Sequence, residues 1–419
     1  MNISIVPLTA DDRQRLLAVD LAAFFFDPNA YPADIATSHF DWARTFGASP
    51  GGSGDLVGVY TSYDMGLTAP GPLDTLVRVP MAGLSWVSVH PDHRRRGVLT
   101  EMVTHHFAQL HEQGVALSGL HAAEVKIYGR FGYGISSVEL ELELERATEF
   151  VAPSLEEAAG RVATRFFTAD SDSAAQTVHD LHLGCAADTL GAVSRPERMA
   201  RPFLVDLPLT RQGREPLQVL LAEVDGRPAG YAIFSREHKF ENWRAKGKVT
   251  VQELTAVSPE VLLALARRLV DFDLTASIRI NGAASDDPLM WWSGGPRGMD
   301  VKTYDSLWLR LVEVGSALSA RGYSSACDLV LDVLDPVCPW NQHAWRLTVD
   351  RDGVADCSPS SDAADLRLPV QALGAAYLGS RSIAAQAQEG LVTEVTAGAV
   401  RLLSRAMSRD REPVGAIEF

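Results

Sequence analysis

The feature that most constrains this chain is a strand running into a basic, glycine-closed turn and then into a helix. Leu84-Ser85-Trp86-Val87-Ser88-Val89 is largely apolar on both faces, the pattern of a strand covered on both sides. Pro91-Asp92-His93 ends it, and from Gly97 onward Val98, Met102, His106, Phe107 and Leu110 recur every three or four residues, which predicts an amphipathic helix. Between strand and helix lie Arg94, Arg95 and Arg96. A helix start presents unpaired backbone N–H groups and the positive end of its dipole. With Gly97 allowing close backbone approach, this is a place for a pyrophosphate.

The surrounding pattern is α/β (α+β). Residues 11–26 carry apolar side chains at helical spacing, and residues 56–60 and 76–79 read as strands. A strand at 115–120 and a short helix at 123–131 follow. Residues 138–144 alternate Val or Leu with Glu, which predicts a strand with one acidic, wet face. After Pro153 a hairpin at 219–234 turns on Asp225-Gly226, followed by a strand at 249–257, a helix entered through Ser258-Pro259, and a strand at 276–280. The order hairpin, strand, helix, strand repeats that of the first region without its arginine-rich loop, as a degenerate copy would. From about Thr303 a third region carries strands at 307–312, 326–333 and 344–349. Its helices fall at 315–321, closed by Gly322, and at 369–377 and 382–389. Small and polar residues at 47–54 and 169–175 read as loops.

Composition narrows the function. The 419 residues are 46% hydrophobic and 22% charged, so the chain can bury a core, and its length suggests two or three domains. A net charge of −15 argues against a nucleic-acid binder, which displaces counterions with a basic surface, and is compatible with a cationic amine partner. The 4 cysteines, Cys185, Cys327, Cys338 and Cys357, form no Cys-x-x-Cys pair, and no Cys/His cluster has zinc spacing, so no metal is expected. No apolar run is long enough to span a bilayer and the start has no signal-peptide pattern, which makes the cytoplasm the expected compartment.

The second informative stretch is His121 to Gly134, after the next strand. Two tyrosines compete there for an acid's part. Tyr133 sits in a glycine turn and fits packing; Tyr128, on the expected short helix, is preferred. A thiolate whose thiol has a pKa near ~8.5 can receive a proton from a phenol near ~10 where the site stabilises the phenolate.

These two stretches resemble the Eis (enhanced intracellular survival) family of bacterial GNAT acetyltransferases. The resemblance is carried by His93-Arg94-Arg95-Arg96-Gly97 and Ile127-Tyr128-Gly129-Arg130-Phe131-Gly132-Tyr133-Gly134. It extends through Leu307-Trp308-Leu309-Arg310, Arg321-Gly322-Tyr323, Tyr377-Leu378-Gly379 and the final Glu418-Phe419. It implies an N-terminal GNAT domain (1–148), a second, degenerate GNAT-like domain (149–302) and a C-terminal domain similar to sterol carrier proteins (303–419). It also implies acetyl-CoA as donor, amine acceptors such as aminoglycosides acetylated at several positions, and a homohexamer. The family's pattern Arg/Gln-x-x-Gly-x-Gly/Ala ends here on Leu99. Its coenzyme contacts fall on Val87, Ser88, Val89, Arg94, Arg95, Gly97, Val98, Leu99, Thr100, His121, Ala122 and Ala123. Ala123 stands where a serine is usual, and Val125 and Lys126 replace glycines. The family's general acid falls on Tyr128 and its general base on the terminal carboxylate, that of Phe419. Asp27 (or Phe26 in another alignment), Trp42, Ser85, Trp86 and Glu418 are the acceptor-pocket candidates. The competing reading is a lipid- or partner-binding protein with a vestigial acetyltransferase site.

Overall fold

The computed structural model describes residues 2–27, 29–30, 32–51, 54–415 and 417–419. The chain forms two compact units. One comprises residues 1–137, 306–410 and 418–419; the other comprises 138–305 and 411–417.

In the first unit, β1 (Ile3–Pro7), β2 (Thr45–Pro50), β3 (Gly58–Pro70), β4 (Leu76–Val89) and β5 (Leu117–Leu120) lie side by side. The sheet continues through Trp308–Leu311 to Gly134–Ile135. The two strands expected at 76–79 and 84–89 are thus one. Pro80 does not break it: pairing with β5 begins only at Met81, so its missing N–H interrupts no second ladder. The expected loop at 47–54 is strand as far as Pro50; Gly47 is small because the Leu56 side chain packs where a Cβ would stand. Helices α1 (Arg13–Phe24) and α2 (Ala33–Ala36) accompany a core of Leu16, Leu17, Val19, Phe40 and Val59. Helix α3 (Val98–Gln113) puts Val98, Met102, Val103, Phe107 and Leu110 into a second core with Tyr60, Ala82 and Leu84.

The same unit holds a five-stranded sheet, ordered Ala355–Pro359, Ala344–Val349, Cys327–Leu334, Leu366–Pro369 and Thr393–Glu394. Gly322 does not cap the preceding helix by a left-handed turn. A Cβ there would stand 1.9 Å from the Gly71 carbonyl carbon, so glycine is required by close approach. A fully buried ion pair supports the turn after Tyr128. Arg310 donates from Nη2 to both Asp335 carboxylate oxygens at 2.7 Å and from Nε to the Phe131 carbonyl at 2.9 Å. Asp335 also accepts from the Cys338 N–H and the Asn341 amide. Removing one partner strands a buried charge, so Asp335→Ala is expected to lower stability by about 3–5 kcal/mol, read as a shift of the denaturant midpoint.

The second unit is a seven-stranded sheet, ordered Asp300–Asp305, Val138–Glu145, Thr275–Ala283, Gly247–Ala256, Arg227–Glu237, Gln218–Val224 and Ala163–Thr168. Strand Val138–Glu145 therefore belongs here, and its acidic face is not simply wet. Glu143 binds Lys248, and Glu141 binds Lys302. The copied order is present: Gly247–Ala256 leads through helix Pro259–Val270 to the parallel strand Thr275–Ala283, as β4 leads through α3 toward β5. This helix begins on Pro259-Glu260 with no basic glycine turn before it, so the copy lacks an anion cradle. The region read as a loop at 169–175 already contains the start of helix Asp172–Ala187.

Candidate active site

The parallel pairing of β4 with β5 runs from Met81↔Leu117 to Gly83↔Gly119 and, among the described residues, stops there. Beyond it the β4 edge is free for an extended ligand to pair as an added strand. The strand also bulges. Val59 faces Ser88 and Thr61 faces Ser85, so Tyr60 alone opposes Trp86 and Val87, and Trp86 takes a left-handed φ of 55°. Val87 and Val89 pack with the α3 core; Trp86 packs with the α1 core.

At the end of β4 a 3₁₀ turn, Pro91–His93, delivers the three arginines, all exposed. Gly97 is the N-cap of α3 with φ 87°, and a Cβ there would meet nothing within 4 Å, so the backbone ahead of the helix is open. The helix is sixteen residues long and leaves the N–H groups of its first turn without helical partners. Arg94 donates from Nη2 to the Ala23 carbonyl at 3.3 Å, which ties the turn to α1. Arg95 itself has a φ of 60°. Val98 is buried, Leu99 half-buried and Thr100 exposed. These donors fit a pyrophosphate: free N–H groups, a helix dipole and exposed guanidinium groups.

The Ser88 side chain is buried and donates to the Asp20 carboxylate on α1, which leaves its backbone for a ligand. Asp20 is 5% exposed; burial raises its pKa, and the Ser88 hydroxyl works against that rise. Sequence reasoning missed Asp20. The signal was a carboxylate on the apolar face of α1, one turn after Leu16.

After β5, His121 and Ala122 are half-buried and Ala123 is exposed. The short helix expected at 123–131 is a series of turns with a 3₁₀ turn at Gly129–Phe131, and Tyr128 is its N-cap. Tyr128 is 8% exposed, stands edge-on to Tyr133 at 5.9 Å, and burial pushes its phenol up to about 12. Tyr133 is fully buried and bonded to Ser118, which in turn bonds His106, so it is a packing and network residue.

The chain end comes to this same unit. Ser85 Oγ donates to the terminal carboxyl of Phe419 at 2.7 Å. The Phe419 ring meets His121 edge-on at 5.2 Å and lies where a Cβ on Gly83 would stand, 2.7 Å from its Cε2. Any larger residue at 83 would displace it. Glu418 beside it is exposed. Asp27 is also exposed, and its carboxylate accepts from the Asn29 backbone and side chain, closing a local turn. Phe26 stacks on Phe24 at 5.8 Å and is largely exposed. Trp42 is half-buried against Phe40, Ser85 bonds the chain end, and Trp86 is half-buried against Phe40.

Two parallel strands that part beside a glycine-started helix, with a bulge in the first of them, define the GNAT acetyltransferase class. Residues 4–136 and 191–311 each match an acetyltransferase (GNAT) domain, and residues 314–415 match a sterol carrier protein domain. An uncharacterized N-acetyltransferase of Streptomyces avermitilis is 36% identical over 354 residues, 84% of each chain. The N-acetyltransferase Eis of Mycobacterium tuberculosis is 28% identical over 423 residues and the full length of both. The crystal structure of Eis1 from Mycobacterium abscessus superposes with a TM-score of 0.81 at 28% identity, covering 99% of this chain and 98% of that one. The chain belongs to the Eis family of GNAT N-acetyltransferases. It is an enzyme of acetyl transfer, and GNAT acetyltransferases take their acetyl group from acetyl-CoA.

Proposed function

We propose that this chain acetylates primary amines, aminoglycosides among them and at several positions, in a ternary complex with acetyl-CoA. The Phe419 carboxylate serves as general base and Tyr128 as general acid. The observation that carries this reading is the anchored chain end: a carboxyl held by Ser85 on the strand that parts from β5, with its ring seated between Gly83 and His121. Chain ends ordinarily fray. One held by a hydrogen bond and a ring seat has a structural reason to be there.

In this reading the exposed Arg94 and Arg95 and the backbone from Gly97 to Thr100 take the pyrophosphate, while the free backbone of Val87, Ser88 and Val89 pairs the pantetheine arm. His121, Ala122 and Ala123 flank the thiol end. The donor supplies a thioester carbonyl; the N–H groups of the Trp86–Val89 segment polarise its oxygen. Asp27, Trp42, Ser85, Trp86 and Glu418 line the acceptor side. Asp27 and Glu418, both exposed, supply negative charge at its rim. The reading includes a homohexamer and a cytoplasmic location, as the family resemblance implies. No described helix is long and apolar enough to cross a membrane.

The test is thiol release from acetyl-CoA by the untagged chain, offered kanamycin, neomycin, polyamines and lysine peptides. Release with kanamycin and neomycin is the expected result. A chain that takes up acetyl-CoA, seen as a raised melting temperature, yet releases no thiol with any amine would overturn it.

A further inference from the structure

Five rings meet on one face of the first sheet. His39, Phe40 and Trp42 follow α2, Tyr63 lies on β3 and Trp86 at the bulge of β4. His39 stands 5.4 Å from Phe40, 5.6 Å from Tyr63 and 6.3 Å from Trp86, centroid to centroid. Phe40 stands 5.4 Å from Trp42 and 4.9 Å from Trp86, the latter edge to face. These spacings are those of mutually attracting aromatic pairs. Phe40 and Tyr63 are buried and fix the cluster, whereas His39, Trp42 and Trp86 are only half-buried and keep part of each ring open.

The cluster adjoins the proposed base. Tyr63 lies directly opposite Gly83 across the β3–β4 ladder, and the Phe419 ring lies on Gly83. Directly opposed residues share a face, so rings and chain end occupy the same side of the sheet. Trp86 is the residue after Ser85, whose hydroxyl holds the terminal carboxyl. The rings themselves carry no charge: burial takes the His39 imidazole down to about 4, so it is neutral near pH 7. A neutral wall of ring faces and edges beside the terminal carboxyl suits an apolar, flat body attached to an amine.

We propose that this wall is the subsite for the body of the acceptor and that it takes an aromatic ring, so that the preferred acceptor is an arylalkylamine, a primary amine on a short arm from an aryl ring. The inference rests on the acetyl-transfer reading above. The reaction is unchanged: the amine nitrogen bonds to the acetyl carbon, the carbon–sulfur bond breaks, one proton leaves the nitrogen and one reaches the sulfur. The wall adds selection of what the amine is attached to.

The test is kcat/KM of the full, untagged chain by thiol release, comparing 2-phenylethylamine and tryptamine with propylamine and kanamycin. The aryl amines are expected to exceed propylamine by roughly 10–100-fold. Trp42→Ala is expected to bring that ratio toward one, and Trp42→Phe, which retains a ring, to preserve most of it. On the unaltered chain, 2-phenylethanol is expected to compete with the amine and not with acetyl-CoA, which tests the subsite even if a variant folds poorly. Equal kcat/KM for aryl amines and propylamine, or no competition by 2-phenylethanol, would overturn the aromatic subsite while leaving acetyl transfer intact. Absence of thiol release with all four amines would overturn the proposed acceptor class on which the subsite rests.

Discussion

Extending the chain beyond Phe419 by a few residues is expected to lower acetyl transfer by about 10²–10⁴-fold, the range spanned by loss of a positioned general base. The extension turns a carboxylate into an amide carbonyl, which has no charge and a far weaker hold on a proton. It leaves the rest of the Ser85 contact chemically possible, so the experiment isolates the charge. A free α-carboxyl has a pKa near ~3.5 and amines lie roughly four to six units higher, so direct proton removal would be uphill by about 6–8 kcal/mol. In the proposed mechanism the carboxylate would therefore act by orienting and accepting from an amine already close to neutral, or through a water, and both need its position held. Ser85 Oγ at 2.7 Å and the ring seat on Gly83 and His121 hold it. Phe419→Ala separates the two contributions, since it retains a terminal carboxylate and loses the ring anchor; a smaller loss than that of the extended chain is expected. Thiol release is the measurement, with the acetyl-CoA-dependent rise in melting temperature as the control for donor binding. An extended chain with undiminished turnover would remove the carboxylate from the reaction.

What the sequence disclosed follows from the range of the interactions involved. The strand at Leu84–Val89, the arginine turn and helix α3 are local patterns, each readable within a window of a dozen residues, and all three are present. Strand Val138–Glu145 was readable as a strand but not as a member of the second sheet. Its partners Asp300–Asp305 and Thr275–Ala283 lie more than a hundred residues away, and the pairing signal, Glu141 with Lys302 and Glu143 with Lys248, becomes visible only once the strands are adjacent. Trp308–Leu311 likewise pairs with β5 across a long separation. Two kinds of small residue also misled. Gly47 is small for packing against Leu56, and Gly322 for contact with Gly71, where turns were expected. Within the site, backbone positions were accessible from the motif, but what side chains do was not. Ser88 spends its hydroxyl on Asp20, and His39 meets three rings drawn from three separate segments. A chain end carries no periodicity at all, so the seat of Phe419 had no signal in composition or spacing.

Tyr128→Phe is expected to lower kcat by about 10²–10⁴-fold with donor binding retained, because the change removes one oxygen and no ring. The magnitude follows from where the proton sits. Burial pushes this phenol up to about 12, while a free thiol is near ~8.5, so outright transfer to a solvated thiolate would be uphill by about 5 kcal/mol. As the proposed acid, Tyr128 would consequently work as a hydrogen-bond donor to a leaving sulfur that is itself withdrawn from water, and would pass its proton as that sulfur becomes the stronger base. The sign of the pH dependence is then fixed. A donor with a pKa of about 12 stays protonated, and so competent, throughout the range in which amine acceptors become neutral; it is lost only as the pH rises through about 12. The kcat profile should therefore show no alkaline limb between pH 8 and 10, in contrast to the decline that a donor of ordinary phenol pKa near ~10 would impose. Tyr133→Phe offers the comparison. Its hydroxyl is spent on Ser118 within the α3 core, so the change is expected to lower the melting temperature and leave an equally flat pH profile. Full turnover in Tyr128→Phe would place the acid elsewhere, and a kcat that falls steadily from pH 8 to 10 in the unaltered chain would show that a different, more acidic group supplies the proton.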